Sequence, residues 1–417
     1  MKSEPEGMLS PYRVLDLTDE KGWLCGKLLG DLGADVIKIE KPGGDPDRSI
    51  GPFFRDELNR ERSLYWFSYN ANKRGITLDI ETVEGQGIFK KLVKASDFII
   101  ESFPPGYLEK IELGYDALDK IKPGVIFASI TPFGQSGPYS EYKTSDIVSW
   151  ALGAHMNQQG DADRPPVRVS RYPQSYLHAG AEASAAALMA LYYRRMTGEG
   201  QRVDISIQEC VARINLTSSW DQNKILFQRG GSRVNAVGNT IRPYLVWPCK
   251  DGHVIWMYWG GPMSSILIPQ LLKWMKDEGM LDEYLAKFDW MAFDFDKTNQ
   301  EVLDRMAEPT IKFFKTHTKA ELFEGAIKRR IFLYPVNNTK DITESEQLAA
   351  RDFWVKIEHP ELRESITYPG PFVKSSEAPL IIRRHAPLIG EHNNEIYEQE
   401  LGISRKQLLI LQQAKVI

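Results

Sequence analysis

Ala34-Asp35-Val36-Ile37-Lys38-Ile39-Glu40 alternates apolar and polar side chains with the period of two that a half-buried strand requires. It runs directly into Lys41-Pro42-Gly43-Gly44-Asp45, a stretch of turn-forming residues. Just upstream, Gly22 to Leu32 carries apolar residues at helical spacing and stops at Gly33, a residue type suited to the left-handed position after a helix. Further upstream, Tyr12 to Thr18 (YRVLDLT) alternates again. Downstream the unit recurs: a strand at Ile76 to Ile80, a helix near Val83 to Lys94, a strand at Asp97 to Glu101, a short helix at Tyr115 to Ile121 and a strand at Val125 to Thr131. Strands separated by helices predict right-handed crossovers, a parallel-rich sheet and an α/β fold. Ligands of such sheets gather beyond the carboxyl ends of the strands. Those ends lead here into Lys41 to Asp45, Ser102-Phe103-Pro104-Pro105-Gly106 and Pro132-Phe133-Gly134-Gln135, three Gly/Pro loops expected on one edge.

An alanine-rich helix is expected from Tyr176 to Met196, where small side chains let a neighbouring element approach closely. Thr197-Gly198-Glu199-Gly200-Gln201 then turns into a strand at Arg202 to Ile207. Its Gly-x-Gly is not a dinucleotide fingerprint, because that motif needs the strand before and the helix after. From about Ser218 to Phe332 aromatics and methionines become dense (WMYWGGPM, KWMKDEGM, FDWMAFDF), which reads as a second, smaller domain with these residues in its core.

The 417 residues exceed what one hydrophobic core usually serves, in agreement with two domains. A net charge of -4 excludes the basic footprint of a nucleic-acid or membrane-surface protein. The start, MKSEPEGMLSPYR, shows no signal peptide, and no apolar run has the roughly 18 residues of a membrane helix. Cys25, Cys210 and Cys249 are widely spaced and form neither a disulfide framework nor a metal motif, so buried thiols in a reducing cytosol are expected, with no metal.

Several segments in order resemble the class III CoA-transferases, the formyl-CoA transferase and carnitine dehydratase family. They are LDLT (Leu15 to Thr18), GADVIKIEKPGGDPDR (Gly33 to Arg48), NKRGITLDI (Asn72 to Ile80), ESFPPGYLEK (Glu101 to Lys110), RMTGEGQRVDISIQE (Arg195 to Glu209) and APLIGEHNNEIY (Ala386 to Tyr397). The resemblance implies a large Rossmann-like domain built from both chain ends, a smaller middle domain, and two chains threaded through each other as an interlocked dimer. The implied divisions are 1–217, 218–332 and 333–417, the last returning to the large domain. The family's activity moves CoA between acids: an aspartate attacks a thioester, and the CoA passes through an aspartyl thioester to the acceptor.

The family's aspartate stands four residues before the glycine that opens the alanine-rich helix. That glycine matches Gly180, so the position is Tyr176. Pro173, Gln174, Ser175, Leu177 and His178 supply no carboxylate; Asp161 and Asp163 lie upstream and Glu182 lies inside the helix. A phenol with an ordinary pKa near 10 is a poor substitute nucleophile. His178 has two readings, a replacement base or donor and a structural histidine at the helix start; His392 is expected to anchor its loop. Where many members carry a glycine-rich lid, this chain has Val237-Gly238-Asn239-Thr240-Ile241-Arg242.

The nucleotide-binding surface is better kept. Lys41, Arg74, Lys110 and Lys143 match basic positions of the family, and Phe103-Pro104-Pro105-Gly106 matches its loop beside adenine and pantetheine. CoA or acyl-CoA is the implied substrate, its roughly four negative charges suiting such cations. Some members are heteromeric, and Pro173 to Gly180 looks like their aspartate-free subunit. The expectation is therefore a non-catalytic subunit partnered by an aspartate-bearing homologue. The alternatives are an active transferase or racemase using another residue, and a homodimeric acyl-CoA-binding protein.

Overall fold

Strands β1 (Arg13–Leu17), β2 (Asp35–Glu40), β3 (Lys73–Thr77), β4 (Phe98–Glu101), β5 (Ile126–Thr131) and β6 (Gln201–Ser206) pair in parallel, in the spatial order β3-β2-β1-β4-β5-β6. The computed structural model describes residues 7–161, 163–168, 170–214 and 231–417. Between and after the strands lie α1 (Trp23–Asp31), α2 (Leu64–Asn70), α3 (Val83–Lys94), α4 (Tyr107–Lys110), α5 (Tyr115–Ile121), α6 (Asp146–Leu152), α7 (Gln174–Thr197) and α8 (Ile207–Arg213). Neighbouring residues of a strand point to opposite faces, so the sheet feeds two apolar layers. Leu15, Ile37, Ile99 and Phe127 pack with Phe89 of α3 on one face; Val14, Val36, Phe98 and Ile126 pack with Ala179, Ala183 and Ala187 of α7 on the other. The small residues of α7 permit a close approach to α1: a Cβ on Gly180 would fall 2.9 Å from Leu24 Cβ and 3.2 Å from Cys25 N.

β3 begins three residues before the apolar pattern predicts. Lys73 and Arg74 do not read as strand interior, yet both are buried, because carboxylates on β1 and β2 neutralise them. Lys73 Nζ reaches Asp16 Oδ2 of β1 at 2.7 Å, and Arg74 Nη2 reaches Asp35 Oδ2 of β2 at 2.6 Å.

The described chain divides into two units, one of residues 1–155, 168–214 and 347–417, the other of 156–167 and 215–346. The expected boundary at 217/218 lies outside the described residues. That at 332/333 shifts, for a physical reason. β7 (Arg233–Val234) and β8 (Thr240–Ile241) form a small hairpin, while β9 (Val246–Cys249), β10 (Gly252–Ile255) and β11 (Tyr334–Pro335) form a three-stranded antiparallel sheet. Since β11 pairs with β10, residues 333–346 stay with the smaller unit. Its core holds Trp247, Trp256, Trp274, Met275, Met306, Phe313 and Phe314, with α9 (Ser264–Asp277), α10 (Glu283–Lys287), α11 (Gln300–Lys315) and α12 (Lys319–Arg329) around the sheet.

Residues 347–417 contain the antiparallel hairpin β12 (Trp354–His359) and β13 (Glu364–Pro369) and then fold onto β3. The Tyr397 hydroxyl donates to Thr77 O (2.7 Å), Thr77 N donates to Asn393 Oδ1 (2.9 Å), and Gly75 N donates to His392 Nδ1 (3.1 Å). Arg48 completes the seam. Fully buried, it makes a bidentate pair with Glu40 (2.7 and 2.8 Å), reaches Glu61 at 3.0 Å, donates to Pro387 O at 2.9 Å and lies 3.7 Å over the Trp66 ring. Arg48→Met should leave the Glu40 carboxylate buried without its partner and cost about 3–5 kcal/mol of stability. Arg48→Lys should recover little of it, since an ammonium can neither fork nor stack in this way. Urea denaturation checks both; a loss below about 1 kcal/mol for Arg48→Met would show that the seam holds without the pair.

Candidate functional site

The strand order places β1 beside β4 while their connections leave in opposite directions, the arrangement that opens a crevice at the carboxyl ends of the two strands. Two loops line it, residues 18–22 and 102–106. They are laced together: Asp19 N donates to Ser102 Oγ, which donates back to Asp19 Oδ1, both at 2.8 Å. The first loop is fixed from beneath by buried Asp16, whose Oδ1 accepts from Thr18 N at 3.0 Å. Burial alone would raise the Asp16 pKa, but the Lys73 and Lys38 ammonium groups beside it bring it below the usual carboxylate value. The second loop is fixed by Glu101, which closes β4 and accepts from Phe103 N at 2.7 Å.

Tyr176 lies in the first turn of α7. That turn carries no side-chain cap of its own; instead Ser175 N and Oγ both donate to Asp146 Oδ1, at 2.9 and 2.7 Å. Tyr176 is 4% exposed. Burial, then the negative charges of Glu20, Asp146, Asp19 and Asp47, push its phenol well above the ordinary value. His178 sits on the exposed side of the same turn, with Trp150 edge-on at 6.0 Å. Desolvation lowers its pKa, with Glu182 opposing and His155 adding to the effect. Glu182 pairs with Arg213, and Asp161 with Arg242.

Glu20 is the residue that sequence reading missed. Burial, and then Asp47 and Asp19, push it up to about 7. The only local signal was its place directly after β1. The residues that perturb it include Asp47 and Asp146, far off in the chain and gathered only by the fold.

The matched nucleotide-binding residues do not all converge. Exposed Lys41 follows β2 and pairs with Glu81 at 3.1 Å; Glu81 also accepts from the Tyr107 hydroxyl, and Tyr107 stacks on Phe103 with centroids 4.6 Å apart. Lys41 and the Phe103-Pro104-Pro105-Gly106 loop therefore share one patch at the carboxyl edge. Gly106 turns that loop into α4 with a φ of 77°, and a Cβ there would meet nothing within 4 Å, so the backbone conformation, rather than crowding, calls for glycine. Lys110, which ends α4, and Lys143 are exposed and make no ion pair among the described residues. Arg74 lies apart from them, contrary to expectation. It stands near the amino end of β3, and its guanidinium is held by Asp35 (2.6 Å), Glu395 (2.7 Å) and Glu400 (2.5 Å). Parallel pairing puts that end of the strand opposite the loop edge, so Arg74 does not join the lysines. A surface cleft of about 510 Å³ lined by Lys90, Glu109, Tyr115, Lys120 and Arg202 includes none of these candidates.

Among the described residues no helix is long and apolar enough to cross a membrane. The three cysteines are buried and unpaired, and burial pushes Cys210 up to about 12.

The family model of CoA-transferase family III matches residues 9–393. The chain is 34% identical to the succinyl-CoA:(R)-benzylsuccinate CoA-transferase subunit BbsE of Thauera aromatica, over 93% of each chain. It is 31% identical to a formyl-CoA:oxalate CoA-transferase of Streptomyces coelicolor, over 98% of this chain and 99% of the relative. Among solved structures, a CAIB/BAIF family protein from Brucella suis superposes with a TM-score of 0.79 at 26% identity, over 94% of this chain and 99% of that one.

The crevice acids set a pH dependence. Glu101, like Glu20, is raised from 4.5 to about 7, chiefly by burial. Between those values the folded chain holds protons that the unfolded chain has released, so these groups make stability fall as pH rises. Glu101→Gln keeps an acceptor for Phe103 N but cannot ionise. Relative to the wild type it should gain on the order of 2 kcal/mol between pH 5 and pH 7.5, read from urea midpoints at both values. A difference that stays constant with pH would show that Glu101 ionises normally in the folded chain.

Proposed function

The chain belongs to CoA-transferase family III, and on that footing we propose that it is the non-catalytic subunit of a heteromeric CoA-transferase. The enzyme would move CoA from an acyl-CoA such as succinyl-CoA to an organic acid such as benzylsuccinate. The observation that carries this reading is Tyr176. At the position matched to the family's nucleophile stands a buried phenol whose proton is held above its ordinary range by burial and four nearby acids. Such a group is a poor attacking oxyanion at neutral pH. An aspartate-bearing homologue would supply the nucleophile in an interlocked dimer, and this chain would complete the fold of the shared site. The similarity to BbsE, a subunit by its name, supports a partner of that kind.

In this reading Lys41, Lys110, Lys143 and the Phe103 to Gly106 loop hold the nucleotide end of CoA; Arg74, at the opposite end of its strand, takes no part. Exposed ammonium groups next to an aromatic loop suit a ligand that carries phosphates at one end. Changing Lys110 and Lys143 together to Ala should weaken CoA binding to the complex by about 1–3 kcal/mol in titration calorimetry, the range for hydrogen bonds to charged groups. Unchanged affinity would remove both lysines from the site.

A second reading has its own observation. Glu20 is a carboxyl beside Tyr176 that titrates at about 7, close to the operating pH at which a proton-transfer group works best. An active transferase or racemase would draw on it. One experiment separates the two. The isolated chain should transfer no CoA from succinyl-CoA to benzylsuccinate above background. The complex with the aspartate-bearing subunit should do so, and Tyr176→Phe should leave the complex nearly unimpaired. Robust turnover by the isolated chain, abolished by Glu20→Gln, would overturn the non-catalytic reading in favour of the second.

A further inference from the structure

Away from the crevice, the β12–β13 hairpin and the return segment bring three metal-ligating side chains together. His359 closes β12 and is fully buried, Glu361 lies in the hairpin turn, and His385 lies just before the segment that Arg48 and Trp66 hold through Pro387 O. One ligand atom from each of the three lies within 4.8 Å of the other two. His359 Nδ1 is 2.7 Å from Glu361 Oε1, and His359 Nε2 is 2.8 Å from the Tyr368 hydroxyl. The second carboxylate oxygen, Glu361 Oε2, is buried with no hydrogen-bond partner. A buried carboxylate oxygen left without a donor requires an explanation.

The orientation of the two rings supplies one. His385 Nδ1 donates to Ala386 O at 2.8 Å, which leaves Nε2, with Glu391 Oε1 at 3.5 Å, as the unprotonated nitrogen of the neutral ring. This is the backbone anchoring that orients histidines at metal centres. The Tyr368 hydroxyl either donates or accepts, so it equally supports the His359 tautomer protonated at Nε2, whose Nδ1 is then bare and faces Glu361.

We propose that His359 Nδ1, Glu361 and His385 Nε2 form a binding site for a divalent transition ion of the zinc class, with the fourth position of a tetrahedral shell left to water. Two imidazoles and a carboxylate match the donor sets zinc takes, and differ from the all-oxygen shells of magnesium and calcium. The ion would tie the hairpin to the return segment. It would thereby stiffen the aromatic wall of Trp23, Tyr65, Trp66 and Phe67 against which Ile357, Tyr368 and Ala386 pack. Its role is structural and independent of the CoA chemistry.

The test uses the full chain, stripped with EDTA and titrated with Zn²⁺ by calorimetry and with Co²⁺ by visible absorption. One ion per chain is expected, with the absorption of tetrahedral cobalt and a higher melting temperature on saturation. Glu361→Gln and His385→Ala should each weaken binding by at least about 100-fold, and Tyr368→Phe by about 10–100-fold, as for groups that orient a ligand. Glu361→Gln is nearly isosteric, and circular dichroism of the metal-free variants controls for misfolding. No saturable binding by the wild type, or equal affinity in the folded Glu361→Gln and His385→Ala variants, would overturn the proposal.

Discussion

The guanidinium of Arg48 is the contact on which the larger unit closes. It leaves the helical turn Pro46–Ser49, enters the interior without any exposure, and is met there by Glu40 from β2, Glu61 from the following loop, the face of Trp66 and the carbonyl of Pro387. A buried charge persists only where its donors are filled from several directions, and here those directions belong to four separate stretches of chain. The turn after β2, the aromatic helix α2 and the C-terminal segment are therefore positioned by one planar group. Gly44 belongs to the same arrangement, since a Cβ on it would fall 2.7 Å from Ile389 of the return segment.

The crevice owes its chemical character to what lies around it. Asp19, Glu20, Asp47 and Asp146 act together on Tyr176, and Glu20 holds its proton to about 7. The positive charges that the sheet buries, Lys38 and Lys73, are engaged by Asp16 one layer below. The floor of the site is thus neutralised internally, while its mouth is acidic. Exposed Lys41 follows β2 at the same carboxyl edge, and exposed Lys110 ends α4.

How much of this was legible in the sequence follows from the range of the interactions involved. β1, β2 and β5 showed in the alternation or density of their apolar residues, and α7 showed in its alanines. β3 was displaced because Lys73 and Arg74 are strand residues only once Asp16 and Asp35 lie beside them. Arg74 was grouped with Lys41 because both matched basic family positions; parallel pairing separates a residue near the start of one strand from a residue just past the end of the next. Glu20 carried no periodicity and no motif. The His359, Glu361 and His385 cluster spans too much chain for any short-spacing metal pattern, and the hairpin that assembles it was not read from the residues.

The return of the C-terminal segment also has a meaning in time. Arg48 and Pro387 are 339 positions apart. A ribosome adding about 5–20 residues per second needs roughly 20–70 s to cover that distance. Once β6 has been made, the nascent chain carries the whole six-stranded sheet for the rest of that interval, while Thr77, Gly75 and the pocket around Arg48 await partners not yet synthesised. Birth of this molecule therefore includes a long period with an unsealed flank, during which chaperone holding, or pairing with another chain offering the same C-terminal residues, competes with closure on itself.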